Sequence, residues 1–370
     1  MKHFNYKTYL SLAVLLFLTA FTTISAQLTV PASSQEAAVT QRVGITDITI
    51  HYNRPYVKGR KIWGGLVPYG FNDLGFGTSK SAPWRAGADY NTTIAFTHDV
   101  VIEGNPVKAG KYGLFFAIEE NGEVTGILSS NTTSWGSYFY DEKEDVLRFK
   151  TTAKDTEVSK EILTYEFNTV EATNATASLL WEKKEIPFKI EVDVQNIVLE
   201  GIANDLRNPN GFQQSAWDQA ANYAFNAGEL DKALEWVNSS ISGQFFSKES
   251  FNNLSLKSRI LAKQGKTSES DALMDKALTM GTSNEIYQVG SQLLAAKNLD
   301  KALKVMKTNV KNNKGAFPSN YGLARVYSAK GDFKNALKSA NKSMTVAPEN
   351  FKRRLQGVID KLKKGEDFNQ

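Results

Sequence analysis

A phrase of about eight residues recurs through the second half of this chain. Ala227-Gly228-Glu229-Leu230-Asp231-Lys232-Ala233-Leu234 is answered by Ala296-Lys297-Asn298-Leu299-Asp300-Lys301-Ala302-Leu303 and by Ala329-Lys330-Gly331-Asp332-Phe333-Lys334-Asn335-Ala336-Leu337. A degenerate copy starts at Lys263-Gln264-Gly265-Lys266. Aligned on Gly228, Gly265, Lys297 and Gly331, the copies stand 37, 32 and 34 residues apart. A unit of that length holds one helix pair, too small to bury its own apolar face, so the copies must stack into a continuous core. Ala233, Ala302 and Ala336 put small side chains where paired helices would touch. Gly265 and Gly331 sit where the chain must turn between helices.

This pattern resembles the tetratricopeptide repeat, whose period is about 34 residues. Trp217 at the start of the first copy, Tyr327 in the last and Pro348 at its end fit in part. The resemblance implies about four repeats over residues 195–370. It also implies a concave groove for a protein or peptide partner, with a rigid spacer as the plainer alternative.

Residues 27–194 follow a different period. Ile48, Ile50 and Tyr52 alternate with polar residues, and short apolar runs recur at 92–97, 100–103, 112–118, 124–129, 146–150, 162–167, 177–181 and 188–194. Turn residues separate them, most clearly Asn121-Gly122. Eight or nine short strands without an intervening helical period predict an antiparallel sandwich or barrel. The fold class is therefore two-domain, all-β and then all-α repeats.

Residues 1–26 read as a secretory signal peptide. Lys2 and Lys7 precede the apolar run Leu10–Ala20, which is shorter than a membrane span, and Ser25-Ala26 offer small residues for cleavage. The expected product is exported, to the periplasm or beyond, with no integral membrane segment. The chain has no cysteine, which rules out a lipidated cysteine, disulfides, thiolate metal sites and a cysteine nucleophile. Only His51 and His98 remain after the leader, so neither a metal nor a cofactor is expected. The net charge of +5 is unevenly spread: 17 Lys/Arg against 22 Asp/Glu in residues 27–194, and 25 against 17 in 195–370. With an acidic β half and an exported product, nucleic acid is not an expected partner.

The segment Tyr52–Gly70 interleaves basic and aromatic residues with Gly and Pro. Together with Gln41-Arg42-Val43-Gly44, Trp84-Arg85-Ala86-Gly87-Ala88, Ala109-Gly110-Lys111-Tyr112, Trp135-Gly136 with Tyr140, and Trp181-Glu182 with Pro187-Phe188, it resembles the bacterial domain-of-unknown-function family 2911. The resemblance spans residues 41–193. It implies an exported domain with no established activity. One departure is Phe71–Pro83, whose Gly and Ser content suggests a flexible flap ahead of Trp84 and Arg85.

The candidate site comprises Tyr52, Arg54, Lys58, Arg60, Trp63, Trp84, Arg85, Trp135 and Tyr140. Two readings stand. In one, guanidinium groups hold a small anionic or saccharide ligand while indole rings stack on it. In the other, which is the more ordinary, the arginines pin an irregular loop through pairs with Asp89, Asp141 or Asp145. His98-Asp99 sits in a polar turn with no nucleophile elbow beside it. Asp141–Asp145 lacks the spacing of a calcium loop. The expectation is a non-catalytic binding and scaffold protein of the envelope. The alternative is a hydrolase of envelope glycan or peptide using carboxylates as acid and base.

Overall fold

The computed structural model describes residues 31–369, so the leader expected over 1–26 lies outside the described residues. The chain forms two compact units, divided between Val194 and Gln195.

Among the described residues, the first unit holds ten strands: β1 Gln35–Val43, β2 Thr46–Arg54, β3 Thr92–Phe96, β4 Val100–Ile102, β5 Asn105–Val107, β6 Gly110–Ile118, β7 Glu123–Ser129, β8 Asp145–Thr152, β9 Lys154–Val170 and β10 Asn174–Glu191. They pair antiparallel in two sheets, β1-β2-β3-β6-β7-β8 and β5-β4-β10-β9. Thr46, Ile48, Ile50 and Tyr52 of β2 turn inward, alternating with more exposed neighbours. Across the sandwich, Tyr52 meets Tyr165 edge-on at 4.8 Å and Phe116 meets Phe188 at 6.1 Å. The expected antiparallel sandwich is thus the observed one.

Four strands differ from their sequence reading, each for a physical reason. β5 falls outside every apolar run because it is three residues long and Asn105 and Pro106 leave it only one buried apolar side chain, Val107. The run at 177–181 and the first four residues of the run at 188–194 belong to one long strand, β10, which ends at Glu191, and Val194 already opens a helix. A register shift at Glu182, whose φ is 52°, switches the inward set from Ala175, Ala177, Leu179 and Trp181 to Ile186, Phe188 and Ile190. A bulge of this kind breaks the period of two and mimics a strand end. β1 is absent from the apolar runs because it is an edge strand with mostly exposed side chains, which need no apolar alternation. β9 starts eight residues earlier than the run at 162–167 suggests, through a polar, exposed stretch.

The second unit begins with α1, Val194–Asp205, followed by four helix pairs: α2 Gln214–Asn226 with α3 Leu230–Ile241, α4 Phe251–Lys263 with α5 Thr267–Leu278, α6 Ser283–Ala295 with α7 Leu299–Asn312, and α8 Phe317–Ala329 with α9 Phe333–Met344. A last helix, α10 Glu349–Lys363, covers the final pair. Ala233, Ala302 and Ala336 are fully buried, as close helix packing requires. Met306 of α7 fills the space that Gly290 of α6 and Gly322 of α8 leave open; a Cβ on either would stand within 2.5 Å of its side chain. At the end of each first helix the chain adopts a left-handed residue: Gly228, Gly265, Lys297 and Gly331. These are the four positions on which the repeat aligns. No helix among the described residues is long and apolar enough to cross a membrane.

Candidate functional site

Pro55 follows β2 and starts an irregular path. Val57 to Arg60 closes a tight turn, with the Arg60 amide donating to the Val57 carbonyl at 3.0 Å. Both central residues, Lys58 and Gly59, have positive φ, the signature of a type I′ turn. The turn is tied to β9: the Val57 amide donates to the Glu161 carbonyl and the Lys58 amide to the Glu161 carboxylate, at 2.8 and 2.9 Å. Further on, Trp84 exchanges both backbone hydrogen bonds with Phe116 of β6. This registers the loop Arg85–Asp89, in which Ala86 and Asp89 also have positive φ. The Ala86 carbonyl accepts from the Thr92 and Tyr165 hydroxyls at 2.9 and 3.0 Å. Strained backbone at Lys58, Ala86 and Asp89, held by this many bonds, clusters around one depression in the surface.

That depression is a cleft of ≈ 530 Å³. Its wall includes Tyr56, Lys58 and Arg60 from the turn, Leu66–Pro68, Asn72 and Leu74, Trp84, Arg85 and Asp89 from the second loop, Tyr138, and Trp181 of β10. Behind it, Trp84 stacks on Trp181 at 5.9 Å, and Trp63 meets both rings edge-on. The segment Phe71–Pro83 forms part of the rim and is tied to its neighbours by hydrogen bonds and ring contacts. Asn72 and Ala82 pair at its base, the Ser79 amide donates to the Tyr138 carbonyl, and Phe76 packs on Tyr138 and Phe139.

The nine residues singled out from the sequence separate into groups. Lys58, Arg60, Trp84 and Arg85 line the cleft. Trp63 supports its wall from behind. Trp135 lies at its margin, stacked on Tyr138 at 6.0 Å and facing Arg85 at 5.7 Å. Tyr52 is a core residue against Tyr165. Arg54 binds the Leu163 carbonyl at 2.9 Å and the Thr164 hydroxyl at 2.8 Å, anchoring β9 to β2. Tyr140 donates to the Asp145 carboxylate and accepts from Arg148, a network that does not reach the cleft wall. Burial and the Asp145 carboxylate drive the Tyr140 pKa upward. Tyr56, Asp89, Tyr138 and Trp181 also line the cleft, and the sequence reading did not place them in the site. Tyr56 stands in the basic and aromatic segment, Trp181 among the residues of the family resemblance and Asp89 among the possible arginine partners, whereas nothing in the sequence reading pointed to Tyr138.

None of the three arginines pairs with Asp89, Asp141 or Asp145. Arg60 folds back on its own turn, its Nε donating to the Val57 carbonyl at 3.0 Å and its second nitrogen to the Tyr56 carbonyl. Asp145 pairs with Arg148 at 2.6 Å, and Asp141 caps a short 3₁₀ turn. Arg85 differs from the others. No described residue gives its side chain a hydrogen bond or ion pair, and its Nε is buried without an acceptor. Burial pulls its pKa below the usual arginine value, against smaller upward pulls from Tyr138 and Asp89. An arginine remains charged even so. The indole nitrogens of Trp63 and Trp181 are likewise buried without acceptors. The lining thus presents three cations against one carboxylate, Asp89, and one of those cations, Arg85, has a buried Nε without an acceptor.

Elsewhere, His98 Nδ1 lies 3.1 Å from the Thr46 hydroxyl. Asp99 accepts from Lys108 and the Ala109 amide. Both serve their turn.

Fold and cleft together define a class: a β-sandwich with a cationic, aromatic-walled cleft, on one chain with a helical-repeat array. Residues 34–190 match the family described as "Protein of unknown function (DUF2911)", and residues 317–350 match the tetratricopeptide repeat. The two resemblances read from the sequence hold, in the same order. Among solved structures, the chain is similar to the C-terminal part of a TPR repeat-containing protein from Cytophaga hutchinsonii. The identity is 16% over 46% of this chain and 67% of that one, with a TM-score of 0.34. It is similar also to YrrB, described as a TPR protein with an unusual peptide-binding site, at 16% identity over 45% of this chain and 86% of that one, with a TM-score of 0.29. No curated protein matches the chain.

Proposed function

We propose that this is an exported, non-catalytic binding protein of the bacterial envelope, in which the β-sandwich captures a small anionic ligand, of saccharide type, and the repeats engage a protein partner. The observation that carries the ligand reading is Arg85. A partly buried guanidinium without a hydrogen-bond acceptor is costly to keep, and a carboxylate or phosphate entering the cleft would supply the missing acceptors bidentately. Lys58 and Arg60 add charge at the mouth, and the rings of Trp84 and Tyr138 suit a sugar face. The leader-like segment at 1–26 supports export. Tetratricopeptide-type repeats support a role in protein interaction. Hydrolysis by paired carboxylates finds less support, because Asp89 is the one carboxylate among the residues lining the cleft.

The test compares the mature chain with Arg85→Met, using thermal shift and titration calorimetry against inorganic phosphate, glucuronate and uncharged glucose. Saturable binding of an anion by the wild type, lost in Arg85→Met, is the expected result. If the variant binds every probe as the wild type does, Arg85 is not the clamp.

A further inference from the structure

After α10 the chain turns back at Gly365, whose φ is 75°, and residues 366–369 run onto the last repeats. The interactions there are specific. Asp367 accepts from the Ser328 hydroxyl of α8 at 2.6 Å, and the Phe368 amide donates to the same hydroxyl at 3.2 Å. The Phe368 ring lies 6.1 Å from Tyr321, which also packs on Phe317 and Phe351. Asn369 exchanges two bonds with Arg325: Arg325 Nε donates to the Asn369 side-chain oxygen at 3.0 Å, and the Asn369 amide group donates to the Arg325 carbonyl at 2.9 Å. Three consecutive side chains are thus read by three residues of one helix. Arg325 is itself oriented by the Tyr287 hydroxyl of α6 at 3.1 Å.

Beside this segment a cavity of ≈ 330 Å³ remains, lined by Tyr287, Tyr321, Arg325, Phe351, Arg354, Phe368 and Asn369. Neither Arg325 nor Arg354 has a carboxylate within ion-pair distance among the described residues, and Arg354 rests only on the Phe351 ring at 5.4 Å. An open space with two such cations and several aromatic rings, next to a seated Asp-Phe-Asn, has the chemistry to accept a longer acidic peptide.

We propose that the groove formed by α6, α8 and α10 is a peptide site for an acidic segment with an Asp-aromatic-Asn core. Residues 367–369 of this chain occupy it as an internal competitor. The inference rests on the reading that the repeats engage a protein partner, and makes it specific: the partner displaces residues 367–369, and its further acidic group reaches Arg354. Because the cis segment is always present at high local concentration, the groove is closed to weak ligands and opens only to stronger ones.

The test uses the full mature chain, a Phe368→Ala/Asn369→Ala variant that releases the segment, and a fluorescein-labelled peptide with the sequence of residues 364–370. Fluorescence anisotropy should show the released variant binding the peptide at least ten-fold more tightly than the wild type. Arg325→Gln in the released background should lose at least ten-fold of that. A folded variant that binds no better than the wild type overturns the proposal. So does a variant whose helical circular dichroism collapses, since the segment is then a structural cap. Dimers of the wild type in light scattering would assign the groove to a second copy and overturn it as well. Anion binding through Arg85 is read independently, so failure here leaves that half of the functional reading intact. Capture of a protein by the repeats that survives Arg325→Gln would place the partner elsewhere on them.

Discussion

Arg54 and Arg85 carry the same guanidinium into different surroundings. Arg54 spends its donors on the Leu163 carbonyl and the Thr164 hydroxyl, whereas Arg85 has no such outlet. Arg54→Ala should therefore lower stability by about 1.5–3 kcal/mol, the range for hydrogen bonds to a charged group. Arg85→Met should leave the melting temperature no lower than in the wild type. Its cation–π attraction to Trp135, worth about 0.5–1 kcal/mol, disappears together with a desolvated charge, and the two effects offset each other. Urea or thermal melts of the two variants decide this, and a large destabilisation in Arg85→Met would make it an anchor. Lys297 offers a second residue-scale test. It occupies the left-handed position that glycine fills in the other three repeats, at φ 58°. Lys297→Gly should gain about 0.5–1 kcal/mol, after allowing for glycine's greater unfolded freedom. Thermal melts that show the opposite sign would point to a stabilising interaction of the lysine side chain.

Between helices, polar links join one repeat to the next. Asp218 of α2 accepts from the Ser240 hydroxyl of α3 at 2.5 Å, and Ser240 accepts from Asn253 of α4 at 3.0 Å. Burial raises the Asp218 pKa, with the Ser240 bond pulling the other way. A carboxyl raised in the folded state favours folding below its unfolded pKa of about 3.9, and that contribution fades as pH rises through the folded value. Asp218→Asn keeps an oxygen for Ser240 and carries no charge. It should therefore be more stable than the wild type at pH 7, with the gain shrinking as pH falls toward about 4. Denaturation at several pH values tests this, and a pH-independent difference would rule out the titration of Asp218 as its cause. At this scale the sequence was also most legible. The helix pairs announced themselves through Ala233, Ala302 and Ala336 and through the left-handed turn residues, because close packing and chain reversal admit few side chains. β1 and the first half of β9 did not, since an exposed strand places no apolar demand on its residues. β10 reads as two strands in the sequence because the Glu182 bulge reverses its inward face.

For the whole chain, each unit has its own buried core: Ile48, Phe116, Tyr165 and Trp181 in the first, and the alanine-rich helix seams in the second. Residues 31–194 and 195–370, expressed separately, should each fold, and their circular dichroism spectra should sum to that of residues 31–370. A half that stays unfolded alone would show that its core is incomplete without the other.

The amino-acid sequence by itself determined the two periods of this protein, one of two residues and one of about 34, and with them a β-sandwich followed by stacked helix pairs. Periodicity is a local property, carried by neighbours along the chain. It also marked the irregular loops that line the cleft, because runs of Gly, Pro, Arg and Trp have no place in a regular strand. Only the tertiary structure decided which arginine does what. Arg54, Arg60 and Arg85 have identical chemistry, and their roles depend on whether a carbonyl from a distant strand, a carbonyl of their own turn, or no acceptor at all lies within reach. That distance is set by how β2, β6 and β9 bring remote segments together. The same holds for Asp367-Phe368-Asn369, an inconspicuous polar sequence until the fold lays it along α8.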